Sequence, residues 1–142
     1  MGALESNIQK AAGYLQRFRG TTLGHFIGGK ADAGASTQTF ENLSPVDASV
    51  LNAVSCGDER DVEAAATAAR DAFPGWRHKS GDGRRAILHR VADAIESRRE
   101  EIAFVECMDT GQPLRFMSGA ALRAAENFRF FADRAPGAAD GL

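Results

Sequence analysis

The chain has 142 residues, with 17 basic against 19 acidic side chains, a formal charge of -2, and 44% hydrophobic and 25% charged residues. This is the make-up of one ordinary globular domain, and the near balance of charge excludes a general attraction to nucleic acid or to an anionic membrane surface. No apolar run approaches the roughly 20 residues that span a bilayer, no secretory signal is visible, and Cys56 and Cys107 have no metal or redox spacing, so a reduced cytoplasmic protein is expected.

Ile8, Ala11, Ala12, Leu15 and Phe18 share one side of a helix that Gly20 ends. With Glu5 present and few arginines, residues 1–22 read as an N-terminal extension, a surface helix rather than a basic targeting segment. His25 to Lys30 is a short strand entering a turn at Gly28 and Gly29 that needs positive φ, and Ala31 to Gln38 is a loop or a weak return strand. Thr39 to Ser44 and Val50 to Cys56 are further strands around a Pro45 to Ala48 turn. Together they predict a small antiparallel sheet.

From Gly57 the pattern is helical. Asp58 is a good N-cap, and Glu59, Asp61 and Glu63 favour the positive end of the helix dipole. Val62, Ala65, Ala66, Ala69 and Phe73 form the expected buried face, Pro74 and Gly75 the expected stop, and Trp76 an apolar anchor in the connection. Leu88, Val91, Ala92 and Ile95 make the next stripe, whose phase is lost at Arg98 and Arg99. Ser97 and Glu100 have capping-box spacing, so a new helix is expected there, with Ile102, Val105 and Met108 inward. Gly111 closes it in a left-handed conformation, and Pro113 forbids continuation. The third helical region is Ser118 to Arg134, with Leu122, Ala125, Phe128 and Ala132 inward, and Phe130 and Phe131 leave at least one aromatic ring beyond that stripe. A Gly- and Ala-rich tail runs from Pro136 to Leu142.

Gly81, Gly83 and Ala86 match a dinucleotide fingerprint, but Arg77 to Ser80 is no apolar strand, so the glycines read as a flexible lead into the helix. Cys107 lies toward a helix C-terminus, where the dipole disfavours a thiolate, and it reads, like Cys56, as a small packing residue rather than a nucleophile. His25, His78 and His89 have no zinc spacing. The basic pairs Arg84–Arg85 and Arg98–Arg99 read as a solvated face rather than an anion grip. Asp109 stands out, because a carboxylate at a helix C-terminus meets the negative end of the dipole. Its ordinary role is to bond the Thr110–Gly111 turn, and the alternative is a cation or interdomain contact.

In order and spacing, HFIGGK (25–30), FENLSP (40–45), DVEAAATAARDAFPGW (61–76), RAILHRVADAIE (85–96), DTGQP (109–113) and AAENFRFFA (124–132) resemble the N-terminal part of the aldehyde dehydrogenase superfamily. The wording of DTGQP and NFRFFA is most similar to the muconic-semialdehyde dehydrogenases. The resemblance implies an α/β fold, α+β in this fragment, with antiparallel strands and three helical regions, within a larger Rossmann-type subunit whose N-terminal part is residues 23–142. It implies an NAD- or NADP-dependent oxidation of an aldehyde to a carboxylic acid in a homo-oligomer. The family's catalytic cysteine, glutamate and cofactor turn lie downstream of the matched region, so this chain alone is expected to be inactive and to bind no cofactor, its partner being the remainder of the subunit. The resemblance also implies a monovalent cation between Asp109 and carbonyls of Asn42 and Leu43. The rival reading is a stand-alone helical interaction module without catalytic activity; an open frame past Leu142 with a cysteine motif and a glycine-rich turn would decide against it.

Overall fold

The computed structural model describes residues 2–138, so the end of the Gly- and Ala-rich tail lies outside the described residues. The fold mixes helices and strands and divides into two compact units, residues up to 74 with 108–111, and residues 75–107 with those from 112 onward.

The first unit opens with helix α1 (Ala3–Leu15), on which only Ala11 is buried. The hairpin β2 (His25–Ile27) and β3 (Lys30–Asp32) turns at Gly28 and Gly29 with φ of 61° and 82°. Positive φ at both central residues is what a tight hairpin requires, so the weak return strand is real. Strands β4 (Thr39–Leu43) and β5 (Val50–Ser55) pair antiparallel, with a register shift that sets Leu43 opposite Val50.

The expectation of one antiparallel sheet is corrected. The short strand β1 (Thr22–Leu23) pairs parallel with β5, giving a mixed sheet in the order β1-β5-β4, and the β2–β3 hairpin stands apart from it. Two residues are too few for alternation to reveal. What marks the position is Gly24, where a Cβ would overlap the Asp32 carbonyl oxygen.

Helix α2 (Glu59–Arg77) begins where Asp58 predicts but runs through Pro74 and Gly75 instead of stopping. A proline removes only its own N–H from the ladder and crowds one preceding carbonyl, which a helix can absorb. Trp76 therefore lies in the last turn of the helix, not in a connection. The predicted buried face of α2 is also corrected: Val62 is 68% and Phe73 56% exposed, and Ala65, Ala66 and Ala69 are exposed.

In the second unit, α3 (Gly81–Ser97) packs along α6 (Ala120–Arg134) and against the 3-10 turn Ala135–Gly137. Ser80 caps α3 by accepting from the Gly83 N–H at 3.1 Å. Ala92, Ala125 and Ala132 are fully buried, and Ala121 nearly so, whereas Phe128 is 37% exposed, so alanines take the inward line on which Phe128 was expected. Gly81 is no flexible lead. A Cβ there would stand 2.5 Å from Pro136 Cα and 2.7 Å from the Ala135 oxygen, so the missing side chain is what lets the chain cross at this point.

The break after α3 falls at Arg98, as the lost phase predicts, and α4 (Arg99–Thr110) follows. The Ser97 hydroxyl donates to the Ala94 carbonyl at 2.9 Å and so closes α3, while the Arg98 guanidinium grips Glu101 through two bonds. Serine bonds backward as readily as forward at a helix junction. On α4 the buried residues are Ala103 and Phe104, off the expected stripe. A short helix, α5 (Leu114–Met117), which the sequence reading does not contain, precedes α6. Among the described residues no large side chain is fully buried.

Candidate functional site

Within the first unit, α4 delivers Asp109 to β4. The Asn42 amide donates to Asp109 Oδ1 at 2.7 Å, a contact between residues 67 positions apart. This bond offsets the dipole penalty on a carboxylate near a helix C-terminus, and it gives Asp109 a partner beyond its own turn. The neighbourhood is densely bonded. Ala48 N–H donates to the Ser44 carbonyl at 2.9 Å, Ser44 N–H to the Ser49 carbonyl at 2.8 Å, and the Asp47 carboxylate accepts from both the N–H and the hydroxyl of Ser49. The Ser49 hydroxyl first, then the Ser44 hydroxyl and the Ser49 N–H, hold the Asp47 carboxyl below the ordinary aspartate range. Gly111 closes α4 with φ of 72°, and a Cβ on it would stand 3.0 Å from Pro45 Cγ. The Asp109 turn is thus seated on the loop that follows β4.

The amide hydrogens of Asn42 are positive and take one lone pair of the carboxylate, so a cation would have to use the remaining oxygens. Among the described residues no cluster of three or more His, Cys, Asp or Glu side chains is placed to hold a metal ion. As it stands the arrangement is a polar clip between a strand and a helix end.

The first turn of α2 forms a second polar centre, in which Asp58 caps the helix as the sequence predicts and Asp61, read there only as favourable charge, does more. Asp58 Oδ1 accepts from the N–H groups of Arg60 and Asp61, and Asp61 Oδ2 accepts in return from the Asp58 N–H at 2.9 Å. The other Asp61 oxygen accepts from Ala35 N–H at 2.7 Å, while Arg60 donates to the Ala35 carbonyl at 3.0 Å. Ala35, in the loop after β3, is therefore clamped through both its N–H and its carbonyl. The backbone donors of Asp58 and Ala35 pull the Asp61 carboxyl down, and the Arg60 guanidinium does the same for Asp58. The spacing of Asp58 and Asp61 is that of a reciprocal cap, and this was the signal available in the sequence. His25 Nε2 lies 3.7 Å from Asp61 Oδ2, too far for a hydrogen bond, and has no other bonding partner among the described residues.

In the second unit, His89 Nε2 lies 2.9 Å and Arg85 Nε 3.1 Å from Asp133 Oδ1. An ionised carboxylate only accepts, so the bonded ring nitrogen carries the proton. Arg129 bonds Asp93 at 2.8 Å and Glu96 at 2.6 Å, tying α6 to α3. Arg85 thus belongs to an ion pair rather than to an anion grip. Cys56 and Cys107 are free and half-buried. None of these centres joins a nucleophile to a base, and each stitches one element to another.

The aldehyde dehydrogenase family model matches residues 32–140. The chain belongs to the aldehyde dehydrogenase family. It is 42% identical over 111 residues to the 2-hydroxymuconic semialdehyde dehydrogenase of Pseudomonas sp. (strain CF600), a match covering 77% of this chain and 23% of the relative. It is 38% identical over 109 residues to aldehyde dehydrogenase B of Escherichia coli (strain K12), covering 76% of this chain and 21% of that protein. Among solved structures, HpcC of Thermus thermophilus superposes with a TM-score of 0.87 at 36% identity, over 92% of this chain and 25% of that one. Betaine aldehyde dehydrogenase of Staphylococcus aureus, solved with NAD+, gives 0.81 at 26% identity over 89% and 25%. The chain spans about a quarter of the length of these relatives and corresponds to their N-terminal part.

Proposed function

We propose that this chain is the scaffold-forming N-terminal part of an NAD- or NADP-dependent enzyme that oxidises an aldehyde, of the muconic-semialdehyde class, to a carboxylic acid. The observation that carries the reading is the 42% identity to 2-hydroxymuconic semialdehyde dehydrogenase together with the family match over residues 32–140. Residues 1–22 form an extension and 23–142 the enzyme-like part. Its partner is the remainder of the subunit, which supplies nucleophile, base and cofactor site, and the full enzyme is a homo-oligomer of the cytoplasm. The free thiols of Cys56 and Cys107 suit a reducing compartment. We also propose that Asp109 holds a monovalent cation with carbonyls of Asn42 and Leu43; the Asn42 amide brings β4 beside Asp109 but occupies Oδ1, so the ion would use the other carboxylate oxygen. Refined coordination distances in a crystal of the full enzyme test that assignment, and water alone beside Asp109 would remove it.

The test of the main reading is direct. Purified chain incubated with a semialdehyde and NAD or NADP yields no reduced cofactor, whereas co-expression with the complementary three quarters of a relative restores turnover. Robust oxidation by the 142-residue chain alone would overturn it.

A further inference from the structure

We draw no further inference here: the strongest candidate, the exposed apolar face of α6 around Phe128, Phe130 and Phe131, carries nothing because nothing in the structure shows what covers it.

Discussion

Gly75 and Gly81 look alike in the sequence, as two breakers in one connection, and the structure gives them opposite roles. At Gly75, inside α2, a Cβ would meet nothing within 4 Å. Alanine there removes the backbone entropy penalty of glycine, so Gly75→Ala should stabilise the fold by about 0.5–1 kcal/mol. At Gly81 the same methyl meets backbone, with Pro136 Cα at 2.5 Å and the Ala135 oxygen at 2.7 Å, and neither can swing aside as a side-chain tip would. Contact between carbons is comfortable at about 3.5–4.0 Å, so α3 and the turn after α6 must part by roughly 1 Å. Overpacking of that size costs about 1–3 kcal/mol. After subtracting the propensity gain, Gly81→Ala should destabilise by up to about 2.5 kcal/mol, with about 1 kcal/mol the central expectation. Urea unfolding followed by far-ultraviolet circular dichroism separates the two signs. Gly83→Ala is the control between them: its Cβ would meet only the Ser80 hydroxyl at 3.3 Å and the flexible Lys79 side chain at 3.4 Å, so its effect should be small. If Gly81→Ala stabilises as much as Gly75→Ala, Gly81 is a flexible lead and the packing argument fails.

Gly111→Ala imposes the left-handed conformation on a residue with a Cβ and presses it on Pro45, so unfolding should shift by about 1–2 kcal/mol toward instability; an unchanged urea midpoint would contradict the assigned turn. Asp133, held below its ordinary pKa by His89 and then by Arg85, contributes stability that is fully present above the unfolded aspartate value and is lost as pH falls through the lower, folded one. Asp133→Asn should therefore flatten the acid limb of a stability profile below about pH 4, and a limb as steep as that of the unmodified chain would show that the pair does not titrate with folding. Phe130 and Phe131, 50% and 64% exposed with rings 5.2 Å apart, form an exposed apolar pair. The double change Phe130→Glu and Phe131→Glu should lower binding of an apolar fluorescent dye and reduce self-association in light scattering; a parent chain that is already monodisperse and binds no dye would contradict the patch.

What the sequence discloses depends on how far apart the cooperating residues are. The Gly28–Gly29 turn, the Asp58 cap and the Gly111 stop are local, and each is where its chemistry places it. The break between α3 and α4 was also legible, because two arginines cannot continue an apolar stripe. Which side chain seals that break was not, since Ser97 has a carbonyl behind it as well as an amide ahead. The partner of Asp109 is 67 residues away, and those of His89 and Asp61 are 44 and 26 away. Spacing along one helix cannot reveal such pairs. The parallel strand β1 was missed for the opposite reason: with two residues it is too short to carry a period.

Burial is the property that periodicity predicts least securely, and α2 shows why. Val62, Ala65, Ala66, Ala69 and Phe73 do fall on one side of a helix, so the stripe is genuine, yet none of them is buried. A hydrophobic period states which face prefers to leave water; it does not state whether a neighbour exists to receive it. The α3–α6 pair is the contrasting case. There the residues that disappear from solvent are alanines, while Phe128, Phe130 and Phe131 of α6 stay at the surface. Small residues where two helices meet and bulky rings left at the surface describe an element prepared to pack on two sides, with only one side packed. Relatives in which the matching segment makes up about a quarter of the chain have three further quarters of polypeptide from which a second layer can be drawn. The physical content of the family assignment for this chain is therefore positional: its polar clips fix where strands and helices lie within each unit, while the apolar faces of α2 and α6 stay exposed.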